Sequence, residues 1–190
     1  MPIPPPDQAK RVFEGVLFDI WQWEQEQYDG NRAKYECLTR QDTVTTIGFL
    51  DPETVLLTRQ EQSGRETAFL DFPGGRVEGN ESHEDAARRE FLEETGLTIG
   101  RIWPFRYVEH RGSARFAQTV FVAADLRDHV KERHLDPGER VEILRTPWDD
   151  AVRMCLNHEL RQAEVMLAVL ALAFDPEART GLRKFLIPNF

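Results

Sequence analysis

The stretch Gly74–Gly96, GGRVEGNESHEDAARREFLEETG, sets Glu90, Glu93 and Glu94 on one expected helix. Ser82 is a good N-cap with Asp85 three residues on, and Gly96 a good C′ stop, so the helix is read over residues 83–95. At about 3.6 residues per turn the three carboxylates share roughly a hundred degrees of arc. Such crowding costs roughly 0.2–0.5 kcal/mol per like pair in water, and more where solvent is excluded. Something must recover that cost. Asp85, Arg89 and Glu93 make an i, i+4 ladder, which leaves Glu90 and Glu94 free to coordinate. Ala86 and Ala87, on the same side one turn earlier, leave room for a ligand, whereas Phe91 and Leu92 point toward a core. Ahead of the helix, Pro73-Gly74-Gly75 lets backbone carbonyls approach an ion closely, because glycine accepts strained dihedrals. Oxygen-only ligation of this kind suits Mg²⁺ or Mn²⁺.

Upstream, TVTTIGFLDPETVLLTRQ (Thr43–Gln60) gives two β-branched runs around an Asp51-Pro52 turn. Before it, FDIWQWEQEQ and AKYECLTR flank an Asp29-Gly30 turn and read as a two-stranded antiparallel ribbon, which needs a partner surface in this chain or in a second copy. Downstream, RIWPFRYVEH, RFAQTVFVAAD and VEILRT read as strands, Thr146-Pro147 opens a second helix, and a third is expected from about Leu160 to Phe174. His83, in the first turn of the opening helix, is expected to be exposed. The pattern is that of a mixed α/β or α+β layered domain. It divides into a flexible arm (1–10), with four prolines in its first six residues, and a single domain (11–190) made of the ribbon (11–42) and the core (43–190).

The net charge of −9 opposes non-specific binding to nucleic acid or to an anionic membrane. An anionic substrate would therefore need a metal to reverse the local field. The N-terminal MPIPPP has neither a basic region nor a hydrophobic core, so neither a signal peptide nor a membrane span is read, and the expected compartment is the cytoplasm. Cys37 and Cys155, the two cysteines, read as buried thiols rather than as a disulfide or a metal pair.

Taken jointly, Gly75, five residues, Glu81, seven residues, Arg89-Glu90, Phe91, any residue, Glu93-Glu94, any residue, Gly96 and Leu97 resemble the whole signature of the Nudix hydrolase superfamily, with Phe91 where an aliphatic residue is usual. The resemblance implies an α/β/α sandwich with a mixed sheet. It also implies metal-dependent hydrolysis of a nucleoside diphosphate linked to another group. Carried over, it makes Glu90 and Glu94 metal ligands, Glu93 a further ligand or outer partner, the Gly74 carbonyl a completing donor, and Glu81 and Arg89 structural partners. Cations among the carboxylates would neutralise their repulsion and polarise a pyrophosphate. HLDPGERVEIL resembles the late loop that carries the general base in relatives cleaving ADP-ribose and nucleotide sugars, so Glu139 is the candidate base, with Glu93 the fallback and Glu142 a weaker alternative.

Outside the signature, similarity to the ADP-ribose pyrophosphatase group extends over most of the chain, including the ribbon, which in that group often mediates a homodimer. That group commonly carries a proline roughly fifteen residues beyond the signature, where this chain has only Pro104 nearby, so the expected substrate widens to nucleoside diphosphate sugars. Trp21 and Trp23 are candidates to stack on a base, and Arg40, Arg59 and Arg65 to contact phosphate or ribose. The alternatives are hydrolysis of a nucleoside triphosphate or dinucleotide, and a non-catalytic nucleotide-sensing module. A cap-type RNA hydrolase is disfavoured by the acidic balance.

Overall fold

The computed structural model of the chain describes residues 3–64, 66–128, 135 and 137–187. Strands β1 (Lys10–Glu14), β2 (Asp19–Glu26) and β3 (Arg32–Thr39) precede β4 (Thr43–Asp51) and β5 (Thr54–Gln62), which turn at Asp51-Pro52 as expected. Asp51 closes that turn by accepting from the Glu53 N–H at 2.8 Å. Short strands β6 (Phe69–Asp71) and β7 (Gly74–Arg76) lead into α1 (His83–Thr95). After β8 (Leu97–Thr98) come the long hairpin β9 (Arg101–Arg111) and β10 (Ala114–Ala124), then β11 (Arg127–Asp128), β12 (Glu139–Pro147), and helices α2 (Trp148–Leu156), α3 (Ala163–Phe174) and α4 (Pro176–Leu186).

The main sheet runs β1-β2-β3-β10-β4-β5-β12 and is mixed, with β10 parallel to β3 and β4 but antiparallel to β9. Its centre is buried on both faces, so the strand pattern decides the layers. Val44 on β4 and Phe121 on β10 pack against Ala86 and Ala87 of α1, and Leu56 and Ala123 against Phe91. The alternate residues Ile47, Phe49, Val55, Leu57, Val120 and Val122 meet α2, α3 and α4 on the other face. This is the α/β/α sandwich expected from the sequence. Gly48 accounts for the phenylalanine at position 91, because a Cβ there would lie 2.6 Å from the Phe91 ring. Burying that ring stabilises the α1 layer by roughly 1.5–3 kcal/mol.

One irregularity creates the site. β5 follows β4 only over its distal half, from Gly48↔Leu56 outward, and β7 takes the vacated edge of β4 through Thr43↔Arg76, Val44↔Gly75 and Thr45↔Gly74. β6 pairs with β5 through Thr58↔Asp71 and Gln60↔Phe69, so the chain crosses the split between Asp71 and Gly74.

Several local expectations change. Ala86 and Ala87 are core residues rather than room for a ligand, and His83 is half-buried rather than exposed, set between Thr119 Oγ1 (2.6 Å) and Asp42 (3.3 Å). The ribbon has three strands, not two, and meets the core through Ala114↔Leu38 and Arg115↔Thr39. α3 starts at Ala163, because residues 160–162 are held extended: Leu160 bridges to Leu70, and the Arg161 N–H donates to the Leu70 carbonyl. α4 was not anticipated, although Asp175-Pro176 is a cap followed by proline at the first helical position, with Asp175 accepting from the Ala178 N–H at 2.8 Å. Ile3 is buried, and the Pro4 carbonyl accepts from Arg115, so the residues read as a flexible arm are tied at two points. Both cysteines are buried free thiols, and burial pushes that of Cys155 up to about 12.

Candidate active site

α1 has the bounds read from the sequence, with Ser82 accepting from the Asp85 N–H at 3.1 Å and Gly96 closing it at φ 76°. Its inward glutamates border a cleft of about 800 Å³ that also includes Gly74, Gly75, Gln60, Gln62, Glu139 and the N-terminal approach to α3. Glu94 is 5 % exposed and accepts from Gln60 Nε2 at 3.0 Å and from the Gly74 N–H at 3.2 Å. Burial, reinforced by the negative charge of Glu90, pushes its carboxyl up to about 8. Burial likewise raises Glu90 above the ordinary carboxylate range.

The expected ladder takes a different form. Arg89 is gripped at both ends of its guanidinium by Glu81 (2.8 and 3.2 Å), donates to the Arg76 carbonyl at 2.9 Å, and uses one terminal nitrogen for both Glu90 and Glu93 at 3.0 Å. Asp85 instead takes the Ser82 hydroxyl. Glu81 therefore anchors the arginine, and its own carboxyl is held below the usual range by it. Among the described residues no three metal-ligating side chains converge on one point. The donors nevertheless suit a divalent cation: they are oxygens only, buried Glu94 has no positive partner among the described residues, and Gly75 leaves open the space of Glu90, where a Cβ would lie 2.2 Å from a carboxylate oxygen.

Strand parity separates the candidate bases. Glu139 is paired with Gln62 and shares its side of the sheet, accepting from Gln62 Nε2 at 2.9 Å within the cleft. Glu142 is paired with Arg59 on the alternate side, where the two form an exposed ion pair at 3.7 Å outside the cleft lining. Arg59 and Glu142, both candidates from the sequence, thus lie apart from the cleft that holds Glu139.

Arg40 lines the cleft, whereas Trp21 and Trp23 do not. The Trp21 indole N–H donates to Thr39, and Trp23 stacks on Tyr35. Arg65 lies outside the described residues. Sequence reasoning missed the aromatic wall formed by Phe18, Phe116 and His110, with the Arg40 guanidinium 4.9 Å from the Phe116 ring and 6.0 Å from that of Phe18. It also missed Arg76 and Arg161, which share the cleft with Arg40. After burial, their charges are what lower the Arg40 pKa, and among the described residues no carboxylate pairs with Arg40 or Arg76. The cleft thus holds, besides its carboxylates, three arginines close enough to feel one another's charge.

Residues 39–185 match the NUDIX domain family. An ADP-ribose pyrophosphatase of Bacillus subtilis (strain 168) is 26% identical over 161 residues, covering 84% of this chain and 87% of its own. The oxidized purine nucleoside triphosphate hydrolase of Mus musculus is 33% identical over 109 residues, 55% of this chain and 63% of its own. In three dimensions the fold is similar to a crystal structure of an ADP compounds hydrolase, with a TM-score of 0.76 at 23% identity, covering 91% of this chain and 92% of that one.

Proposed function

The chain belongs to the NUDIX family and is a Nudix hydrolase, and from that premise we propose that it hydrolyses the pyrophosphate bond of a nucleoside diphosphate sugar such as ADP-ribose with a divalent metal ion. The products are a nucleoside monophosphate and a sugar phosphate. The observation that carries this reading is the shared cleft, which Glu90, Glu93 and Glu94 line together with Arg40, Arg76 and Arg161. A diphosphate ester needs cations about its oxygens, and the glutamates provide them only with metal bound. Similarity over 84% of the chain to an ADP-ribose pyrophosphatase supports the sugar class.

Glu90, Glu94, Glu93 and the Gly74 carbonyl would hold Mg²⁺ or Mn²⁺. When bound, such an ion draws charge from the pyrophosphate oxygens and lowers the proton affinity of an attacking water. Glu81 keeps Arg89 in place, and Arg89 spaces Glu90 from Glu93. Glu139, oriented by the Gln62 amide, takes the proton from the water that adds to one phosphorus. The bridging oxygen then departs with the other phosphate. Glu93 is the second candidate for that proton. Phe18 and Phe116, with Arg40 between them, offer flat faces to the base in place of Trp21 and Trp23.

A homodimer belongs to the same reading. Val12, Phe13, Val16 and Leu17 are exposed on and beside the ribbon, and Leu17 and Phe18 continue into the cleft wall. Among the described residues no helix is long and apolar enough to cross a membrane, and the two free buried thiols support a reducing, cytoplasmic setting.

The second reading, hydrolysis of a nucleoside triphosphate, is favoured by the murine relative. Product chromatography separates the two. The sugar reaction releases a nucleoside monophosphate without pyrophosphate, and pyrophosphate as the main product would transfer the assignment to the second reading.

A further inference from the structure

Asp71, the last residue of β6, is a carboxylate at 1 % exposure beneath the cleft. One oxygen accepts from the Phe72 N–H at 3.0 Å; the other accepts from Arg161 Nε at 3.2 Å and from Gln162 Nε2 at 2.8 Å. Arg161 is fixed further by the Phe69 ring, 4.2 Å from its guanidinium, and by its own N–H on the Leu70 carbonyl. Gln162 also accepts from Gln118 at 2.5 Å. Arg161, Gln162 and Gln118 all line the cleft, whereas Asp71 does not.

Two costs meet here. A buried carboxylate loses its hydration, and burial raises the Asp71 pKa against the pull of Gln162 and Arg161. α3 begins without a side-chain cap, since a glutamine, with its amide bound to Asp71 and Gln118, stands at the capping position where a short polar residue would cap. An apolar residue at position 71, with a short polar one at 162, would fill the split between β4 and β5 without either cost. The return on both lies in the cleft, where the guanidinium of Arg161 is held in one orientation beside Arg40 and Arg76.

We propose that Asp71 is a positioning residue for nucleotide binding: it orients Arg161 and Gln162 as the donors that receive the substrate's anionic phosphate oxygens. This rests on the cleft being the nucleotide site. Arg161 is held by its inner nitrogen, and among the described residues none takes its two terminal nitrogens, the fork geometry that suits a phosphate.

The test compares wild type, Asp71→Asn, Arg161→Met and the double variant, with two readouts. The first is KM and kcat on the nucleoside diphosphate sugar that wild type turns over with Mg²⁺; the second is ADP affinity by calorimetry in chelator. Each single variant is expected to raise KM and weaken ADP binding about tenfold or more, with kcat changed no more than about threefold, and the double variant is expected to be no worse than the poorer single one. A folded Asp71→Asn protein with wild-type KM, or losses that multiply in the double variant, would overturn the proposal. If Asp71→Asn does not fold, Arg161→Met still decides it, since unchanged ADP affinity there would overturn the role of the guanidinium. Wild type that neither binds ADP nor turns over any nucleotide would instead overturn the reading of the cleft.

Discussion

Replacing Glu94 with glutamine separates the cost of this carboxylate from its use. Its carboxyl stands at about 8 against an ordinary 4.5, the displacement of a group that is harder to ionise in the fold than in the unfolded chain. Because the folded state holds the proton more tightly, the sign is fixed: metal-free stability is unaffected below the unfolded value and declines as pH rises toward 8. Fully ionised, the group costs the metal-free protein roughly 5 kcal/mol. Glutamine carries no such penalty, but it can accept at only one of the two donors now satisfied, Gln60 Nε2 and the Gly74 N–H, and an unmatched donor costs about 1–3 kcal/mol. In chelator, Glu94→Gln should therefore be roughly 2–4 kcal/mol more stable than wild type near pH 9 and about 1–3 kcal/mol less stable near pH 4. Denaturant unfolding at the two pH values reads this directly. With Mg²⁺, turnover of the variant should fall by at least about a hundredfold, because a ligand of the metal is gone. Wild-type turnover, or a stability difference that keeps one sign across the pH range, would refute the assignment of Glu94 as a buried ligand.

Three further outcomes follow from the same geometry. Glu139→Gln should lower kcat by about 10²–10⁴-fold while Glu142→Gln stays within about twofold, a contrast that steady-state kinetics on the same substrate checks. Gly75→Ala drives a Cβ into the Glu90 carboxylate, a flexible group, so activity and Mg²⁺ affinity fall while the melting temperature holds; Gly74→Ala meets the Val44 carbonyl at 2.2 Å and should cost about 1–3 kcal/mol of stability. With Glu94 at about 8, Mg²⁺ binding near pH 7 should expel about 0.9 proton per ion and the expulsion should vanish near pH 9, measured as the dependence of calorimetric heat on buffer.

The parts of this site that were legible in the sequence are those written by local chemistry. A cap, a stop and a 3.6-residue period place three glutamates on one helix without any knowledge of the rest of the chain. Phe91 was correctly aimed at a core, but the reason a ring fits there, the bare backbone of Gly48, lies on another strand. Arg59 and Glu142 stand on the strand faces outside the cleft lining, because a strand turns over with every residue and the sequence of β5 alone does not say which parity faces the cleft. Trp21 and Trp23 also stand outside the cleft lining, with Trp21 bound to Thr39 and Trp23 stacked on Tyr35. The network around Asp71 joins residues some ninety positions apart, and no periodicity or turn signal encodes such a contact. Glutamine is the common thread in what was missed. Gln60, Gln62, Gln118 and Gln162 read as surface residues by type, yet each lines the cleft and donates to a carboxylate or to another amide.

The most direct measurement is hydrolysis of a panel containing ADP-ribose, several nucleotide sugars, a dinucleoside polyphosphate and the nucleoside triphosphates, each run with Mg²⁺ and again with chelator. The expected result is release of a nucleoside monophosphate and a sugar phosphate from at least one sugar compound, with Mg²⁺ only. Equal turnover in chelator, or no turnover of any sugar compound by folded protein with metal bound, would contradict the assignment.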